Sequence, residues 1–234
     1  MRVAVLSALA EEQQGLLDQL AGPEDHVYAG RTFWTGSLQG QSVVLALSRI
    51  GKVAAATTAA ALIERFEASH IVFTGVAGGV GEGVRVGDVV VGTGFVQHDM
   101  DASPLFPRYQ IPLTGQTVFP GDPVLTAQLF QVCRTANLKV HQGLIASGDR
   151  FVNGAKEVAV LVQALRDAGH LPLAVEMEGA AVAQVCADHG IPFAAVRTIS
   201  DRADDTAHVD FPRFVNEVAS VYAVKIVTAL LKSL

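Results

Sequence analysis

Short apolar runs of strand length recur along this chain, and stretches with helical periodicity lie between them. That alternation restricts the fold more than any other feature. Arg2–Ser7 reads as a buried strand and Glu11–Leu20 as a helix with Leu16, Leu17 and Leu20 on one face. Thr32–Leu38 and Ser42–Ser48 form a hairpin-like pair, and Lys52–Phe66 is an Ala-rich helix. His70–Thr74 is a strand ending in glycines, and Asp88–Val96 is extended. Beyond a long loop come helix Asp122–Ala136, with Asp122 as N-cap before Pro123, strand Val140–Ser147 and helix Ala155–Ala168. Strand Leu173–Val175, helix Gly179–His189, strand Phe193–Ile199 and helix Phe211–Leu231 complete the series. The expected class is α/β: one domain over residues 1–234, a three-layer sandwich with a central mixed, twisted β-sheet flanked by helices.

Composition narrows the function. Half of the 234 residues are hydrophobic, enough for a sizeable core. The net charge of -6, with no basic tract, argues against a nucleic-acid partner. Cys133 and Cys186 form no CxxC pair, which fits a reducing cytoplasm. Val3–Leu9 with Ala8-Leu9-Ala10 imitates a signal peptide, but a lone Arg2 and so short a run fit a first strand better. No stretch has transmembrane length, so no membrane association is expected.

Polar residues gather where strands end. Glu11 and Glu12 follow the first strand, and Gly75-Val76-Ala77-Gly78-Gly79 follows another. Ser147-Gly148-Asp149, Glu176-Met177-Glu178 and Ser200-Asp201 follow three more. Ligands of such sheets sit beyond the strands' carboxyl ends, so these residues outline a site. Each also has a plainer explanation. Glu12 in a first helical turn complements the helix dipole. The glycines match neither GxGxxG nor a P-loop, so phosphate binding is not supported. Glu176 and Glu178, two apart in an apolar run, would share one face if extended, and Arg197 offers a partner cation that could equally make a structural ion pair. His98-Asp99-Met100-Asp101 lacks further metal ligands at recognisable spacing, so neither a metal nor another cofactor is expected. No GxSxG elbow surrounds Ser147, and Asp204 and Asp205 read as solvated loop charges.

At these positions the chain resembles the nucleoside phosphorylase/nucleosidase family, and within it the methylthioadenosine/S-adenosylhomocysteine nucleosidases. The resemblance rests on Ala8-Leu9-Ala10-Glu11-Glu12, Ile50-Gly51-Lys52-Val53-Ala54-Ala55 and Thr74-Gly75-Val76-Ala77-Gly78-Gly79. It continues through Gly148-Asp149-Arg150-Phe151-Val152-Asn153, Val175-Glu176-Met177-Glu178-Gly179-Ala180 and Val196-Arg197-Thr198-Ile199-Ser200-Asp201. It implies a nucleoside phosphorylase-like fold, a homodimer and hydrolysis of the adenine–ribose bond of methylthioadenosine and S-adenosylhomocysteine. It further implies that Glu12 activates water and Asp201 protonates adenine N7. Glu178, with the Met177 backbone, would grip the ribose hydroxyls. Phe151 would stack on adenine and the Val152 backbone read its edge, while Glu176 and Arg197 support the water and the ribose. Gly78, Val76 and Ser200 would complete the binding surface, and Leu9, Ile50 and Phe211 would line the 5′-thioalkyl pocket. Ala102, Leu105 and Phe106 of a partner's loop would cap it. Val76 stands where many relatives have serine, which removes one hydroxyl from the site.

Such chemistry needs an acid on the leaving base and a base on water, hence two carboxyls in unlike environments. If Asp201 is not the acid, Asp149 is the next candidate. A phosphate-dependent purine nucleoside phosphorylase would need a cationic pocket. Arg49 is its best candidate residue, whereas Glu11-Glu12 would repel phosphate. A futalosine-type hydrolase and a non-catalytic nucleoside-binding protein are also compatible with these residues.

Overall fold

The protein is seen here as a computed structural model that describes residues 1–202 and 214–234. In chain order the elements are β1 (Arg2–Ser7), α1 (Ala10–Leu17), β2 (Ala21–Tyr28), β3 (Arg31–Leu38) and β4 (Gln41–Leu47). Then come α2 (Lys52–Glu64), β5 (His70–Gly79), β6 (Val89–Gln97), β7 (Val118–Pro120) and α3 (Pro123–Thr135). The series ends with β8 (Val140–Ser147), α4 (Ala155–Asp167), β9 (Pro172–Glu176), α5 (Gly179–His189) and β10 (Phe193–Asp201). A π-helical stretch, Val215–Ala219, leads into α6 (Ser220–Ser233).

The expected mixed sheet is present, with helices on both faces. Strands run β10-β6-β8-β9-β5-β1-β4-β3-β2, and β10 also pairs with β5. Strands β5, β10, β6, β8 and β9 therefore close into a ring, from which β1, β4, β3 and β2 extend as an open wing. β1 lies between parallel neighbours β4 and β5, which is why its residues 3–7 are all buried and Val3–Leu6 read as a continuous apolar run. One face of the sheet packs on α2 and α5 through Ala55, Ala59, Leu62, Ala180 and Ala183. The other packs on α1, α3 and α6 through Leu16, Leu125, Leu129, Ile226 and Leu230. Asp122 caps α3 as expected, its Oδ1 accepting from Val124 N and Leu125 N at 3.0 and 2.9 Å.

Three local expectations are corrected. The strand after His70 does not stop at Thr74 but runs through the glycines to Gly79, because β10 pairs with it as far as Gly78. A Cβ on Gly79 would meet Ile199 Cγ2 at 2.9 Å, so the glycines serve close strand contact rather than a turn. β2 is an extra edge strand whose residues are all exposed, so it has no alternation to read. Finally, Glu176 and Glu178 are not in one extended segment. β9 ends at Glu176, and Glu178 is the N-cap position of α5, with φ −135° and ψ −39°.

Candidate active site

One cleft lies at the carboxyl ends of the ring strands. Its wall is made by Ala8, Leu9, Ile50, Val76, Ala77, Gly78, Arg150, Phe151, Val152, Val175, Glu176, Met177, Glu178, Ser200 and Asp201. Eleven of the residues named from the sequence meet there: Leu9, Ile50, Val76, Gly78, Phe151, Val152, Glu176, Met177, Glu178, Ser200 and Asp201. Glu12 and Arg197 stand just behind that surface. Ala102, Leu105 and Phe106 are not on the wall of this chain, and Leu105 is 84% exposed. Phe211, Asp204 and Asp205 lie outside the described residues.

Glu12 is placed by the first βα turn. Its Oε2 accepts from Ala8 N and Leu9 N, both at 3.0 Å, which makes it the capping partner of α1. The helix-end role expected from sequence is therefore real. Burial nevertheless raises its pKa to about 7, against the opposing pull of the Leu9 N–H and the Arg197 charge. Gly75 lies against both charges: a Cβ there would stand in ordinary contact, 3.5 Å from Glu12 Oε1 and 3.6 Å from Arg197 Nη1.

Arg197 and Glu176 form a buried ion pair, Nη2 to Oε2 at 2.8 Å. Phe73 supports the guanidinium from below, 4.0 Å from ring centroid to Cζ. Glu176 also accepts from Gly179 N and Glu178 N at the start of α5, and from the Ser147 hydroxyl. Every lone pair of Glu176 is thus directed at the protein. It fixes the turn that presents Glu178, and removing either partner of such a buried pair costs about 3–5 kcal/mol. Glu178 accepts from Gly51 N at 2.8 Å, and burial and the negative Glu176 raise its pKa. Asp201 ends β10, and Ser200 Oγ donates to its Oδ2 at 2.6 Å.

Asp149 is not on the cleft wall. Its carboxylate, the reserve acid of the sequence reading, accepts from Lys52 N at 2.6 Å. Arg49 donates to Gly30 O, away from the cleft. Sequence reasoning gave no role to Ala8, Ala77, Arg150 or Val175, although each falls inside a quoted motif and lines the cleft. Among the described residues, no helix is long and apolar enough to cross a membrane.

The Phosphorylase superfamily pattern matches residues 2–232. A 5′-methylthioadenosine/S-adenosylhomocysteine nucleosidase of Exiguobacterium sp. is 38% identical, covering 100% of this chain and 99% of that one. The protein of the same name from Bacillus thuringiensis is 40% identical over 94% of both chains. The crystal structure of the Neisseria meningitidis nucleosidase with methylthio-immucillin-A superposes with a TM-score of 0.93 at 37% identity, covering 100% of this chain and 99% of that one. Futalosine hydrolase of Helicobacter pylori superposes with a TM-score of 0.92 at 30% identity, covering 100% and 98%.

Proposed function

The chain belongs to the phosphorylase superfamily and, within it, to the methylthioadenosine/S-adenosylhomocysteine nucleosidases, and from that premise we propose that it hydrolyses the N-glycosidic bond of both nucleosides. The products are adenine and a 5-thioribose sugar. The observation that carries the reading is the carboxylate set at one strand edge: Glu12 behind the wall, Glu178 and Asp201 on it.

Breaking the ribose–adenine bond builds positive charge on the sugar and negative charge on the base. Glu12, ionised, takes the proton of the attacking water. Arg197, on the far side of Gly75, favours that ionised form. Asp201, held by Ser200, gives its proton to adenine N7. Glu178 binds the ribose hydroxyls and places negative charge near the oxocarbenium, where a water-poor wall strengthens its effect. Phe151 stacks on the base and Leu9 and Ile50 meet the 5′-substituent.

Phosphorolysis is disfavoured by charge. The wall carries three carboxylates, Arg197 is committed to Glu176, and Arg150 pairs with Glu157 at 2.8 Å. Adenine release in phosphate-free buffer tests the reading. Strict phosphate dependence with a sugar 1-phosphate product overturns it.

The working unit is a homodimer in which the 99–112 loop of one copy closes the 5′ side of the other. Ile50 lines the cleft yet is 60% exposed, and Leu105 and Leu113 of the same chain are exposed apolar residues with no cover. The compartment is the cytoplasm, consistent with two buried free thiols whose pKa values burial pushes up to about 12.

A further inference from the structure

Beside the cleft, three polar contacts close a ring among elements far apart in sequence. Asp149 Oδ1 accepts from Lys52 N, the first residue of α2, at 2.6 Å. Lys52 Nζ donates to Asp99 Oδ1 at 2.6 Å, and Asp99 Oδ2 accepts from Asp149 N at 2.9 Å. The ring joins the end of β6, the loop after β8 and the start of α2. Lys52 Nζ also donates to Gln97 Oε1 at 3.0 Å, and Gln97 Nε2 donates to Gln184 Oε1 on α5 at 2.8 Å. The Lys52 side chain is only 15% exposed, so the ion pair is partly shielded from water.

Two corners of the ring, Asp149 and Lys52, adjoin the cleft. Phe151 is two residues beyond Asp149 and Ile50 two before Lys52, and both line the wall. Gly51 lies between, and its N–H donates to Glu178. Its φ is +95°, and a Cβ would stand 3.0 Å from Asp149 Oδ1, so glycine allows both the turn and the close approach of the carboxylate.

We propose that Asp149 is a positioning residue: with Lys52 and Asp99 it fastens the base-facing loop to the start of α2, so that Phe151, Ile50 and the Gly51 N–H that holds Glu178 are set before substrate arrives. Without it the loop must be ordered at each binding event. That cost falls alike on ground and transition states and appears in KM rather than kcat. The inference rests on the nucleosidase reading only for its choice of substrate.

The test uses full-length Asp149→Ala and Asp149→Asn. The alanine variant is expected to raise KM for methylthioadenosine about tenfold, with kcat within about threefold of native. Asparagine keeps an oxygen for Lys52 N and should restore KM to within about twofold. A residue important only for folding would instead lower the active fraction, and so kcat, with KM unchanged. Lys52→Met, which keeps the main-chain N–H but removes the ion pair, should raise KM about threefold and serves if the alanine variant does not fold. Calorimetry with adenine reads the same loop without turnover and should show about tenfold weaker binding in Asp149→Ala. Native protein that releases no adenine while this difference persists overturns the function and leaves the ring. Native turnover with unchanged KM and adenine affinity in Asp149→Ala, or an asparagine variant as impaired as alanine, overturns the ring alone.

Discussion

The place of Glu12 in the fold and the base role proposed for it pull in opposite directions. Its carboxyl has an ordinary pKa of 4.5 in the unfolded chain and about 7 when buried. Between those values the native state keeps a proton that the unfolded state has released, so stability falls as pH rises and levels off above about 7. The full difference is on the order of 3 kcal/mol. A general base must be ionised, so kcat/KM should climb as pH rises through about 7. Glu12→Gln removes the titration. It is expected to lower kcat about 10²–10⁴-fold while raising the melting temperature at pH 8, with no gain at pH 4. Thermal unfolding at the two pH values checks this, and equal shifts at both would remove the burial argument. Asp201→Asn should behave differently. It keeps shape and polarity, so stability should change little, but no proton can reach the base. A large fall in kcat with a modest change in substrate affinity is expected from single-turnover and binding measurements.

At the scale of elements, the short strand β9 carries the site's ion pair, and a notch of two glycines holds it. Leu173 sits where a Cβ on Gly81 or Gly143 would be, 2.5 Å from its Cδ2 and Cδ1 respectively. Its carbonyl accepts from Val80 N and Gly81 N at 3.0 and 3.1 Å, pinning β9 against the end of β5. Gly143→Ala should therefore displace β9 and with it Glu176 and the start of α5. The expected cost is about 1–3 kcal/mol, read by denaturant unfolding, with a loss of adenine release larger than the unfolded fraction explains. The sequence announced β9 only as Leu173–Val175 in an apolar run, and nothing in a local pattern told of ring closure, which depends on β10 pairing on both edges. Strands buried on both faces were legible through their apolar stretches, Val3–Leu6 in β1, Ile71–Phe73 in β5 and Phe193–Val196 in β10. β2 was not, since an edge strand with Pro23, Glu24 and Asp25 looks like a loop. Glu176 and Glu178 were legible as costly charges in an apolar setting. Their division of labour was not, because it depends on which oxygens Arg197, Ser147 and three backbone N–H groups occupy.

For the whole molecule, the cleft of one chain is walled well on the ring-strand side and poorly on the other. Phe151 is 47% exposed and Ile50 60%, although both would touch a ligand, and Val53 on the next turn is 77% exposed. Leu105 and Leu113 stand out from the 99–116 segment at 84% and 92% exposed, while Tyr109 between them is buried and anchors it. In the proposed homodimer, a two-fold axis would pair each anchored loop's apolar tip with the other copy's open apolar edge. Sedimentation should accordingly give a dimer at micromolar concentration. Leu105→Asp places a charge in that contact without touching the chain's own cleft wall. It should shift the protein toward monomer and raise KM for methylthioadenosine well above its effect on adenine affinity, because in the proposed dimer the partner would cover the 5′ end and not the base. A native protein that sediments as an active monomer defeats the dimer. A Leu105→Asp variant that loses adenine affinity as strongly as methylthioadenosine would show that the loop acts on its own subunit's base loop instead.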